Sequence, residues 1–253
     1  LLTEEFQKFI DITKRLRKEC PWDREQTHAS IRSGMIEEAF EAVDAIDAND
    51  MNELRKELGD VLLQVVFHSN LAEETSSFTL EDVITGVTKK MIDRHPHVFG
   101  TTVLNGSEEV KTNWEKLKMK EGRKSVMDGV PQAMPALMRA QRLQEKASKV
   151  GFDWDKKELA WKKVEEELAE FKQASADGDK DAEQAEFGDL LFSLVNYGRF
   201  LRLNSEDALR GTVNKFVTRF QHIEKRLKEN GKDFASSSLE EMDKFWEEAK
   251  TQA

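Results

Sequence analysis

Cysteine is almost missing from this chain. Cys20 stands alone, so no intrachain disulfide can form, and a reducing cytoplasm is the expected setting. Proline is scarce as well, with only Pro21, Pro96, Pro131 and Pro135 in 253 residues. The long stretches between them carry helical apolar spacing and few strand-like alternations, which predicts an all-α fold. Long hydrophobic runs are lacking: Val61–Phe67 is interrupted by Gln64 and is far too short to span a bilayer. No signal-peptide pattern is visible at the N-terminus, and the sequence starts at Leu1 rather than at a methionine. Positive charge is in deficit, 39 Lys and Arg against 49 Asp and Glu for a net charge of −10. That balance argues against nonspecific binding to nucleic acid or to an anionic membrane, but leaves room for nucleotides held through a metal and a few basic groups.

Several site chemistries are excluded in the same way. There is no Gly-rich phosphate loop. A carboxylate di-iron bundle needs Glu-x-x-His on two helices, and the only such spacing, Glu25–His28, has no counterpart in the second half. The five histidines are expected to be structural or loop residues, and Cys20 to be a small apolar one.

What the chain does have is a repeat. Glu37, Glu38, Glu41, Glu57 and Asp60 each reappear 129 positions later as Glu166, Glu167, Glu170, Glu186 and Asp189. Each set reads E-E-x-x-E, then fifteen residues, then E-x-G-D. Trp22-Asp23 matches Trp154-Asp155 at an offset of 132, and Lys90 and Arg94 match Lys215 and Arg219 at 125. Trp114 and Lys118 match Trp246 and Lys250, again at 132. The offset changes only between expected helices, where insertions are tolerated. Two copies of one helical module follow, expected over 1–121 and 136–253 with a Gly- and Pro-containing connection at 122–135. The spacing predicts helices near 3–18, 30–48, 51–74, 79–94 and 107–121. In the second copy it predicts them near 136–149, 157–176, 180–203, 205–230 and 238–251.

The acids occupy a telling place. At about 100° per residue, Glu186, Asp189 and Ser193 share one narrow stripe of a helix whose remaining surface is Phe187, Leu190, Leu191, Phe192, Leu194 and Val195. Glu57, Asp60 and Gln64 repeat the stripe in the first copy. A helix apolar nearly all round is expected to be largely buried. Its in-helix glycine, Gly59 or Gly188, costs about 1 kcal/mol relative to alanine, which suggests a close approach by another helix or a ligand. The preceding helix adds Glu167 and Glu170, three apart and therefore neighbours. Four carboxylates would then meet, Glu167, Glu170, Glu186 and Asp189, with Glu38, Glu41, Glu57 and Asp60 as a possible second set. Like charges that close raise each other's pKa unless a cation intervenes, and all-oxygen ligation favours Mg²⁺, with Mn²⁺ as a substitute, over zinc. Lys215 and Arg219, four apart, share a face that could grip phosphate. Trp246 could pack over a base or anchor the last helix.

These motifs, with the C-P-W-D of Cys20–Asp23, the R-H-P-H-V-F of Arg94–Phe99 and the G-F-D-W of Gly151–Trp154, resemble the MazG family over almost the whole chain. The resemblance implies nucleoside triphosphate pyrophosphohydrolysis, Mg²⁺ dependence, tolerance of many bases and a homodimer. It implies metal ligation by Glu167, Glu170, Glu186 and Asp189, and phosphate contacts from Lys163, Lys215 and Arg219. Glu166 would orient the attacking water or a lysine. Lys163 aligns with Gly34, so the C-terminal copy is expected to carry the main site and the N-terminal copy to be weaker or regulatory. The competing readings are a narrower dUTPase-like or phosphoribosyl-ATP pyrophosphohydrolase, and a noncatalytic nucleotide or alarmone sensor.

Overall fold

A computed structural model describes residues 1–106, 109, 110, 113, 114, 117 and 124–251. These residues are helical and turn structure without a strand, so the chain is all-α. It divides into two compact units, Leu1–Trp114 and Glu115–Ala253. Most of the helix expected over 107–121, with Lys118, lies outside the described residues. From residue 124 onward the segment expected as a connection folds as turns on the second unit, where Lys146 Nζ donates to the carbonyls of Val126 (2.8 Å) and Asp128 (3.1 Å). Among the described residues no helix is long and apolar enough to cross a membrane.

In the first unit the helices are α1 (Leu2–Glu19), α2 (Pro21–Glu25), α3 (Arg32–Asp47), α4 (Met51–Glu74), α5 (Leu80–Arg94) and α6 (Pro96–Phe99). The two short helices, each opened by a proline in its first turn, are additions to the sequence-based expectation. α3 and α4 form an antiparallel hairpin that is the unit's main packing contact. α1 latches onto the far half of α4: Asn70 Nδ2 donates to the buried Thr13 Oγ1 (3.1 Å), and Arg17 grips Glu74 through two nitrogens. Val66, Phe67, Leu71 and Ala72 form the core there.

The second unit contains α7 (Ala136–Ser148), α8 (Lys157–Asp177), α9 (Lys180–Phe200), α10 (Ser205–Glu229) and α11 (Leu239–Thr251). The hairpin is repeated by α8 and α9, and α7 packs against α9. Its turn repeats in chemical detail. Asn49 and Gly178, 129 apart, both adopt left-handed backbone (φ 54° and 73°). The next residues, Asp50 and Asp179, cap α4 and α9 by accepting two backbone N–H groups each. A side-chain oxygen there satisfies donors that the first helical turn cannot, an arrangement worth about 1 kcal/mol. This is a sixth acidic pair in register, and it serves the fold instead of the cluster.

Two sequence expectations are corrected here. α4 and α9 are not buried all round: Leu58 is 56% and Phe187 48% exposed, with Leu62, Leu191 and Leu194 also open. Each hairpin covers one face of its second helix, and the contacts from α1 and α5 on α4 and from α7 and α10 on α9 leave these side chains open among the described residues. Nor do Gly59 and Gly188 mark a close approach by another helix, since a Cβ built at either meets no protein atom within 4 Å.

Candidate metal and nucleotide site

The α8–α9 hairpin brings one carboxylate from α8 and two from α9 to the same place. Oxygens of Glu167, Glu186 and Asp189 all lie within 4.8 Å of one another. Glu167 is the inner member at 6% exposure, Glu186 is half-buried and Asp189 is open to solvent. Glu170, the fourth expected ligand, stays outside this three-way group and is exposed. Local desolvation, followed by the charges of Glu167 and Glu186, still pushes its carboxyl upward.

The first copy gathers a different three, Glu38, Glu41 and Glu57, again within 4.8 Å. Desolvation first and Glu41 second raise the buried Glu57 to about 6. Glu38 is raised by desolvation and then by Asp60, which acts on the group electrostatically without joining it. Three carboxylates gathered this closely suit a hard divalent cation, whose charge would offset their mutual repulsion. The residues present therefore fit Mg²⁺ or Mn²⁺ in both copies.

The copies differ at one pair of positions. Lys163 sits on the acids of α8, its Nζ 2.6 Å from Glu166 and 2.7 Å from Glu167. These two hydrogen bonds hold its ammonium charged far above the usual range. Glu166 thus engages the lysine. In the first copy Gly34 replaces Lys163, and Gln64 from α4 leans into the gap, its Nε2 2.8 Å from where a Cβ would be. Ser193 takes the place of Gln64 in the second copy, so the lysine has room. One copy therefore carries a fixed counter-charge where the other carries a neutral amide.

The basic and aromatic residues form their own cluster on α10 and α11. The Arg219 guanidinium lies over the Trp246 ring, 5.5 Å from its centroid, and Phe216 packs on the same indole at 5.4 Å. Lys215 is exposed one turn earlier. Among the described residues no ion pair joins Lys215 or Arg219 to the four acids. The arrangement is repeated in the first unit, with Arg94 5.7 Å from the centroid of Trp114.

Sequence reasoning passed over two ring pairs that share one position in register. His28 and His68 stack at 5.1 Å, their Nδ1 atoms 2.8 Å apart. Tyr197, 129 positions after His68, meets Trp161 at 4.9 Å. The dissimilar residue types hid this repeat.

A family model described as the MazG nucleotide pyrophosphohydrolase domain matches twice, over residues 26–99 and 156–224. The chain belongs to the MazG family. The two matched segments contain α3–α5 and α8, α9 and most of α10, which are the elements that carry both acid clusters. Among relatives, "Nucleoside triphosphate pyrophosphohydrolase/pyrophosphatase MazG" of Thermotoga maritima is 44% identical, with 97% of this chain and 95% of that protein covered. An Escherichia coli protein named nucleoside triphosphate pyrophosphohydrolase is 38% identical, with 98% of both chains covered. A Bacillus subtilis protein, uncharacterized YabN, is 46% identical across 99% of this chain but only 52% of its own length. The tandem MazG arrangement is thus met both alone and as part of a longer protein.

The raised Glu57 carboxyl gives a testable sign. With its folded pKa above its unfolded value, this group contributes stability that is fully present below about 4.5 and lost as pH rises through about 6. The metal-free protein is therefore expected to melt at a higher temperature at pH 5 than at pH 7 on account of this group. Glu57→Gln should flatten that slope in a thermal-melt series across the interval. A slope unchanged by the substitution would show that Glu57 is not the group responsible.

Proposed function

We propose that this MazG protein is a Mg²⁺-dependent nucleoside triphosphate pyrophosphohydrolase of broad base tolerance, with its main site in the C-terminal copy. The observation that carries the reading is the Glu167–Glu186–Asp189 cluster with Lys163 held against it, inside a segment matched by the family model. The names of the full-length relatives support the same reaction. Water adds in line to the α-phosphorus, the bond to the bridging oxygen breaks, and a nucleoside monophosphate and pyrophosphate leave. Glu167, Glu170, Glu186 and Asp189 hold the cation, which supplies charge neutralisation and a more acidic water when bound. Glu166 keeps Lys163 extended and charged so that it meets a phosphate oxygen. Lys215 and Arg219 contribute the remaining positive charge, with Trp246 fixing the plane of Arg219. Catalysis in this reading is mostly positioning and electrostatic stabilisation.

The open apolar face of α9, with Phe187, Leu191 and Leu194, supports a homodimer in which a second copy completes the helical bundle. The neutral Gly34–Gln64 pair supports a weaker or regulatory role for the N-terminal cluster. Product analysis tests the reaction. Purified protein with Mg²⁺ and each of the eight common (d)NTPs should give monophosphate and pyrophosphate on ion-exchange chromatography. Diphosphate and orthophosphate would overturn the assignment to the α-phosphorus. Stoichiometric binding without turnover would favour a sensor.

A further inference from the structure

Lys163 makes two contacts of different kinds. Its Nζ lies 2.7 Å from Glu167, a member of the three-acid cluster, and 2.6 Å from Glu166, which is outside that cluster. Glu167 is buried, whereas the Glu166 side chain is 56% exposed. The two acids follow the lysine by four and three residues on α8, so a rotation of the lysine side chain alone can give up one and keep the other. Among the described residues Lys163 is the one base paired with an acid of either cluster.

An ammonium group against the innermost carboxylate is a counter-ion already in place. A divalent cation ligated by Glu167 would sit only a few ångströms from it, beside a buried group where water screens like charges poorly. The first copy supplies the comparison. Glu38, Glu41 and Glu57 gather as closely as Glu167, Glu186 and Asp189, yet Gly34 and the Gln64 amide place no charge beside them.

We infer that Lys163 is a resident counter-ion of the C-terminal cluster and must release Glu167 before a cation binds there. The first copy then takes up free cation unopposed, while the second takes it up against its own lysine. The inference rests on the reading of both clusters as cation sites in a hydrolase. Once released, the lysine keeps Glu166 and turns its remaining N–H donors to a phosphate oxygen. A nucleotide therefore offers the lysine a replacement partner, and cation and triphosphate enter the C-terminal copy together. Their binding is coupled through this one side chain, each raising the affinity for the other by the same factor. The first copy has no lysine to carry such a coupling.

Mn²⁺ binding without nucleotide, followed by loss of the free-ion electron paramagnetic resonance signal, tests this apart from turnover. Wild-type protein should show a tighter and a weaker site per chain, the tighter lost in Glu57→Gln and the weaker in Glu186→Gln. Lys163→Met should tighten the weaker site about fivefold, the scale of a half-exposed charged hydrogen bond, and leave the tighter site alone. Lys162→Met removes the same charge from the exposed next residue and should move neither site by more than about twofold. Scanning calorimetry gives a second readout: Lys163→Met should melt below wild type without cation and level with it at saturating Mn²⁺. A C-terminal site as tight as the first, no tightening in Lys163→Met, an equal effect from Lys162→Met, or a melting loss that persists with Mn²⁺ overturns the displacement and leaves the hydrolase reading standing. Wild-type protein that binds no Mn²⁺ overturns both this inference and the cation-dependent reading.

Discussion

Glu167→Ala is expected to reduce nucleoside triphosphate hydrolysis by about a hundredfold or more, exceeding the 10–100-fold typical of losing a residue that only supports a metal ligand. Glu38→Ala, the same change 129 residues earlier, should leave most of the activity. Glu167 is the buried member of its cluster and a partner of Lys163, so its loss removes a metal ligand and one of the two carboxylates that hold the lysine. Glu38 has no such lysine, because Gly34 and the Gln64 amide occupy that position. Turnover is to be measured alongside thermal melting and oligomeric state, so that a folding defect is separated from a chemical one. Loss of activity in Glu38→Ala with fold and assembly intact would move the main site to the N-terminal copy.

Removing the divalent cation should abolish turnover outright and also lower stability. A cation bound at one hundred times its Kd stabilises the folded state by about 2.7 kcal/mol. For units of this size that corresponds to a melting shift of roughly 10 °C. Glu57, Glu38 and Glu170 all have raised carboxyls, which a bound cation would return toward their ordinary range. Scanning calorimetry with and without Mg²⁺ on wild type, Glu57→Gln and Glu186→Gln assigns the shift to each copy. No Mg²⁺-dependent shift in any of them would identify both clusters as solvated acids.

The cluster itself was largely legible in the sequence. A fixed offset of 129 placed E-E-x-x-E and E-x-G-D on consecutive helices, and a helical hairpin leaves those acids few places to point. Which of them meet was not legible. The structure joins Glu167 to Glu186 and Asp189, yet joins Glu38 to Glu41 and Glu57, because side-chain direction answers to local partners. Lys163 draws on Glu167 in one copy, while Glu53 and Glu41 act on Glu57 in the other. Burial of α4 and α9 was read wrongly for a related reason. Periodicity reports which residues are apolar, whereas only the number of packed layers decides whether Leu58 and Phe187 are covered.

By itself, then, the sequence determined the all-α class, the duplicated module, the extents of most helices and the residue types gathered at each acid cluster. These follow from spacing within a helix and from caps such as Asp50 and Asp179, interactions that reach only a few residues along the chain. Tertiary structure alone decided that Gln64 fills the space beside Gly34 and that the Gln144 amide donates to the Phe192 carbonyl. Both depend on the register of one helix against another. That register is set by packing among residues dozens of positions apart, and it leaves no periodic trace in the order of the amino acids.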